Sequence, residues 1–133
     1  VCDLAVSRLV ASEISNPNVM IVDENLSPNE LKSIISNVEF HVGARYHSVV
    51  AALSSCVPSV SMSWHPKYRD LMRSYGMDEY VLDENCNSEV IVILLEKINM
   101  NKDKLCAMLE KYQDEVREQS FENARLFCAL LKE

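Results

Sequence analysis

Two short stretches of this chain carry side chains that hold anions and move protons: Gly43-Ala44-Arg45-Tyr46-His47-Ser48 and Ser63-Trp64-His65-Pro66-Lys67. An arginine offers a planar fork of N–H donors that matches a carboxylate or phosphate two bonds at a time, and a lysine adds a point charge. Imidazole exchanges protons near neutral pH. A glycine ahead of the arginine lets the backbone turn and approach a ligand closely. Together these types suit the capture of a negatively charged substrate, with His47 as the proton carrier. The surrounding charge agrees. Residues 1–39 hold two basic and six acidic groups, and residues 70–133 hold eight and fourteen; residues 40–69 hold Arg45, Lys67, Arg69 and no acid. His41, His47 and His65, all the histidines of the chain, lie in that same window. In a protein of net charge −7, a segment free of carboxylates points to something negative bound there. The competing explanation is a buried stretch, since core strands also lack acids.

The elements that must position these residues follow from apolar spacing and from caps. Leu4, Leu9, Val10 and Ile14 are partly periodic, so residues 4–15 form a helix that ends at Asn16-Pro17-Asn18. Val19-Met20-Ile21-Val22 is a continuous apolar run of the kind found in a parallel strand covered on both faces. Ser27-Pro28-Asn29-Glu30 combines an N-cap serine, proline at the first helical position and glutamate three residues after the cap, and opens a helix through Leu31, Ile34 and Ile35. Residues 39–43 form a second strand, and Tyr46, Val49, Val50 and Leu53 give the stripe of a core-facing helix ended by Cys56-Val57-Pro58. Residues 59–62 form a third strand. Pro66 opens a helix with Tyr68, Leu71, Met72 and Tyr75 inside and Gly76 as its stop. Residues 80–82 form a short fourth strand. Beyond it the chain is helical: Ser88 caps one helix, Asn101 caps a long one, and Ser120 marks a place where the long helix can kink or break before Phe121.

Strands alternating with helices define an α/β domain with a doubly wound, mostly parallel Rossmann-like sheet and a helical C-terminus over residues 101–132. At 133 residues and 48% hydrophobic content the chain makes a single domain, residues 1–133. Such domains normally open with a central strand. This one opens at a helix, which predicts a C-terminal fragment whose sheet lacks its first strand and whose unpaired edge invites self-association or exchange of elements. Ligands of open α/β sheets lie beyond the C-terminal ends of the strands, where helix N-termini point unpaired N–H groups at them. Both loops leave that edge, so Arg45, His47, His65 and Lys67 are expected to converge on one pocket.

No apolar run approaches the roughly 20 residues that span a bilayer, and the start lacks a basic region followed by an apolar core, so a soluble, cytoplasmic chain is expected. Cys2, Cys56, Cys86, Cys106 and Cys128 are an odd number without a C-x-x-C pair or zinc spacing, which fits free thiols in a reducing compartment and no metal. The acidic balance argues against nucleic acid. Dinucleotide, Walker, nucleophile-elbow and H-E-x-x-H motifs are absent.

Residues 40–48, Phe40-His41-Val42-Gly43-Ala44-Arg45-Tyr46-His47-Ser48, followed by a helix of small residues, then Val57-Pro58-Ser59-Val60-Ser61-Met62-Ser63-Trp64 and Pro66-Lys67-Tyr68, resemble the polysaccharide pyruvyl transferase family. The match is closest over 40–68 and extends more loosely over about 19 to 99. The resemblance implies the C-terminal lobe of a two-lobed protein related to GT-B glycosyltransferases, with an N-terminal lobe missing from this chain and no cofactor. It implies phosphoenolpyruvate as donor and a saccharide or lipid-linked saccharide as acceptor, joined as a ketal. It assigns donor contacts to Arg45, Tyr46, His47 and Lys67. With the loop chemistry above, His47 becomes the catalytic candidate, and Gly43, Arg45, Tyr46, Ser48, His65 and Lys67 the substrate-binding candidates. Cys56 departs from the family pattern, which has glycine before the Val-Pro pair. The fragment alone is expected to be inactive. Two alternatives remain: a nucleotide-sugar-binding lobe of a GT-B glycosyltransferase, and a non-catalytic interaction domain that keeps the fold.

Overall fold

The computed structural model describes residues 3–62, 65–83 and 85–131; Cys2, Ser63 and Trp64, the last two in the second loop, and Lys132 at the end of the helical C-terminus lie outside them. The chain runs α1 (Asp3–Glu13), α2 (Pro28–Ser36), β1 (His41–Gly43), α3 (Tyr46–Leu53), β2 (Ser59–Ser61), α4 (Pro66–Ser74), a 3-10 turn (Asp78–Tyr80), α5 (Ser88–Met100) and α6 (Lys102–Leu130). α2 starts where its cap predicts. The Ser27 hydroxyl accepts from the Glu30 N–H, and the Glu30 carboxylate accepts from the Ser27 N–H at 2.8 Å. Those bonds to Ser27 hold the Glu30 carboxyl below the usual carboxylate range.

β1 and β2 pair in parallel with His41 opposite Ser59, Val42 opposite Val60 and Gly43 opposite Ser61, and α3 is the crossover between them. Because side chains alternate, His41, Gly43, Ser59 and Ser61 share one face of this ribbon. α3 lies on that face: a Cβ added at Gly43 would come within 2.9 Å of Val49 Cγ2 and 3.0 Å of Ser48 Oγ. Gly43 is thus needed for close helix–strand packing. Val60 on the other face is fully buried. The core gathers Val49 and Leu53 of α3, Val60, Tyr68 and Met72 of α4, Tyr75, Met77, Tyr80, Leu82, Ile98 of α5, and Leu105 and Leu109 of α6. Neither α1 nor α2 buries a residue.

The expected doubly wound sheet is not seen: among the described residues there are two strands plus a single parallel bridge from Ser61 to Val81. Two expected strands account for the difference. Residues 19–22 have the apolar run but no ladder partner, and Val19, Met20 and Val22 stay exposed. Of the segment expected as the fourth strand, Tyr80 ends the 3-10 turn and is buried in the core, and what remains of a strand is the Val81 bridge to Ser61, with the Leu82 N–H donating to the Ser61 carbonyl at 2.8 Å. Three smaller points also changed. Asn87, not Ser88, caps α5, its side chain accepting from the Val90 N–H at 3.1 Å. Asn101 does begin α6, but without a side-chain cap. α6 runs unbroken through Ser120, whose hydroxyl donates back to the Val116 carbonyl at 3.0 Å and so stays within the helix.

α3 and α4 end in the same way. In α4, Met77 N–H donates to Met72 C=O and Gly76 N–H to Arg73 C=O, with Gly76 at φ 68°. In α3, Val57 N–H donates to Ala52 C=O and Cys56 N–H to Leu53 C=O, with Cys56 at φ 57°. This closure needs a left-handed residue, normally glycine. The glycine that the family resemblance expects at position 56 therefore has a backbone reason.

Candidate functional site

The site is built where β1 passes into α3 and where the chain enters α4. Gly43 ends β1, Ala44 and Arg45 form the turn, and Tyr46 opens α3 with Arg45 as its N-cap. Arg45 offers no side-chain cap; its carbonyl instead accepts from the Ser48 hydroxyl at 2.8 Å and from the Ser48 and Val49 N–H groups. At the second loop His65 caps α4, with its Nδ1 accepting from the Lys67 N–H at 3.3 Å.

Tyrosines join the loops. The Tyr68 hydroxyl donates to the Ala44 carbonyl at 3.1 Å. The Tyr46 and Tyr68 rings stand edge to face, with centroids 5.3 Å apart. Lys67 Nζ lies over both rings, 5.1 Å from the Tyr46 centroid and 5.6 Å from that of Tyr68. This is cation–π geometry, which attracts the ammonium without neutralising it. Lys67 has no carboxylate partner among the described residues, whereas Arg69 pairs with Asp83 at 3.1 Å. From the sequence Tyr68 is a core-facing helix residue and part of the Pro66-Lys67-Tyr68 stretch that resembles the family, without a site role; the signal for its second role was its place directly after Lys67.

Arg45 and His47 face different neighbours. The Arg45 guanidinium grips the Asp3 carboxylate of α1 with both ends of its fork, Nε to Oδ2 at 3.0 Å and one terminal nitrogen to Oδ1 at 2.5 Å. The pair lowers the Asp3 carboxyl and raises the Arg45 guanidinium relative to their ordinary values, first through the hydrogen bonds and then through the charges. Both side chains are largely exposed, so the pair is open to solvent and to competing anions. His47 is exposed, and its ring meets that of Tyr46 edge-on at 5.9 Å. It lines a groove of about 440 Å³ between α2 and α3, together with Ser48, Lys32 and the apolar walls Leu31, Ile35 and Val50. Lys32 was not singled out in the sequence; its helical phase beside Leu31 was the available clue.

Beneath the site, two buried polar atoms on the α3 face of the ribbon lack partners among the described residues: His41 Nδ1 and Ser61 Oγ. Burial pushes His41 below the ordinary imidazole value. Cys56 is half-buried with its Sγ 3.5 Å from Gln113 Oε1. Its thiol is raised first by burial and then by nearby acids, which disfavours the reactive thiolate. Cys56, Cys86, Cys106 and Cys128 are free thiols. Among the described residues no group of three metal-ligating side chains gathers, and no helix is long and apolar enough to cross a membrane.

The geometry is that of an α/β protein presenting cationic and imidazole side chains at the starts of two adjacent crossover helices. Residues 3–66 match the family model for polysaccharide pyruvyl transferase, a little under half of the chain, running from α1 to the first residue of α4. The match supports the resemblance to that family over residues 40–68. No curated protein and no solved structure matches the chain.

Proposed function

We propose that this chain is the donor-binding lobe of a two-lobed, GT-B-like pyruvyl transferase that acts in the cytoplasm, binding phosphoenolpyruvate and transferring its pyruvyl carbons as a ketal to a saccharide, free or lipid-linked. The family match across residues 3–66, which contains the Arg45-Tyr46-His47 triplet, carries the proposal. Two features support it. Arg45 already holds a carboxylate in the bidentate manner that the donor carboxylate needs. Lys67 offers an ammonium with no ion-pair partner among the described residues, suited to the phosphate.

In this chemistry the methylene carbon of phosphoenolpyruvate takes a proton and becomes a methyl group, and positive charge develops at the neighbouring carbon. Two acceptor hydroxyls add there in turn, and the carbon–oxygen bond to phosphate breaks. One of the two hydroxyl protons balances the proton gained by carbon, and the other leaves with the phosphate or to water. His47, which lines the groove, is the group assigned to carry these protons. Gly43 admits the close turn, Tyr46 orients Lys67, and Ser48 and His65 fix the two helix starts that face the donor.

The test uses the protein with both lobes. Phosphoenolpyruvate is expected to raise its melting temperature and nucleotide sugars are not; the reverse pattern would favour a glycosyltransferase. His47→Ala is expected to abolish ketal formation while leaving the melting temperature unchanged, because the side chain is exposed. Unaltered cellular function of that variant would instead indicate a non-catalytic module. The single lobe is expected to be inactive.

A further inference from the structure

Three observations away from the site converge on the outer edge of the ribbon. Among the described residues, β1 is paired on one side only. His41 N–H donates to the Pro58 carbonyl at 2.9 Å, and the Gly43 carbonyl accepts from the Met62 N–H at 2.8 Å. In a parallel ladder alternate residues turn their backbone groups to the same side, so Val42 between them directs its N–H and C=O outward. Secondly, Met20, Ile21 and Val22 make no hydrogen bond among the described residues, in a run whose composition is that of a buried strand. Thirdly, apolar side chains are exposed at both places. Val19 is 42%, Met20 87% and Val22 49% exposed, and Phe40 and Val42 at the edge are 36% and 37% exposed.

An open edge and an unpaired apolar segment are complementary: each holds the backbone donors and acceptors that the other lacks. Within one chain the segment is held elsewhere. It lies along the apolar side of α1, forming a groove with Val6, Val10 and Ile14. Asp23, the residue after it, pairs with Arg8 of α1 at 2.8 Å. α1 is in turn tied to the start of α3 through Asp3 and Arg45.

We infer that a second copy of this chain completes the sheet, residues 19–22 of each copy adding to the β1 edge of the other at Val42. The contact is reciprocal and closes as a two-fold pair. It is formed by backbone hydrogen bonds and apolar side chains between copies that each carry a net charge of −7, so screening by salt strengthens it. A strand of four residues predicts a weak dimer that dissociates on dilution.

Sedimentation equilibrium over a concentration series, at low and high salt, tests this. The chain is expected to move from monomer to dimer as concentration rises, more readily at high salt, with the Val42 amide gaining hydrogen-exchange protection in step. Val42→Pro removes the outward N–H and is expected to abolish the dimer. Should that variant fail to fold, the double change Met20→Lys with Val22→Lys, at side chains exposed in the single chain, is expected to do the same with an unchanged melting temperature. A chain that stays monomeric at every concentration overturns the proposal, as does a Val42 amide protected in the monomer, which would mean that the segment pairs within its own chain. Dimerisation undiminished in the folded variants overturns it too.

Discussion

Cys56 closes α3 in a left-handed conformation that α4 assigns to Gly76, and the cost of that choice can be measured. A residue with a Cβ loses about 1–2 kcal/mol in this region, while glycine loses roughly 0.5–1 kcal/mol through the freedom of its unfolded chain. The balance favours glycine at position 56 by about 0.5–1 kcal/mol. The clean comparison is Cys56→Gly against Cys56→Ala, since both remove the thiol and its contact with Gln113. For a chain of 133 residues, that difference corresponds to about 2–4 °C in melting temperature. Thermal unfolding followed by circular dichroism is expected to rank the glycine variant above the alanine variant, although glycine is ordinarily the poorer residue near a helix. Equal stability, or alanine ahead, would refute the reasoning, because it would mean that φ at position 56 carries no strain.

Gly43→Ala is expected to destabilise the chain by about 1–3 kcal/mol, as overpacking does, because the new methyl meets His41 and the first turn of α3; chemical denaturation checks it. His41 is half-buried, and the loss of solvent around its ring places its folded pKa below the unfolded value of 6.5. The unfolded state then binds the extra proton, and stability is expected to fall as pH drops below 6.5 towards the lowered folded value. His41→Leu should flatten that acid limb in melting curves taken between pH 7 and 5. In the proposed two-lobed protein, Asp3→Asn frees the Arg45 fork and is expected to tighten phosphoenolpyruvate binding up to about fivefold, the range set by an exposed ion pair. Calorimetry showing weaker binding would mean that Asp3 helps to hold the donor loop.

Local signals in the chain were reliable where local chemistry decides the outcome. The Ser27, Pro28 and Glu30 box fixes the start of α2, and Gly76 stops α4 through its left-handed backbone. Residues 19–22 show the limit. Their composition is that of a strand, but a strand exists only when another presents its edge, and that depends on packing far away in sequence. Residues 80–82 failed for a related reason: burying the Tyr80 ring outweighed extending the ladder. The site divides in the same way. Positions at the starts of α3 and α4 follow from helix phase and prolines. The grip of Arg45 on Asp3 joins residues 42 apart and leaves no mark on local spacing, nor does the hydroxyl bridge from Tyr68 to Ala44.

Lys67, poised across two perpendicular ring faces, has an outcome for encounter rates. Its rings constrain where the ammonium sits without cancelling its field, so an approaching anion has no carboxylate among the described residues to displace there. In a chain whose overall charge repels such ligands, a local well of this sort steers them over the last Debye length. Association should therefore quicken as salt is withdrawn, even though the molecule as a whole is acidic.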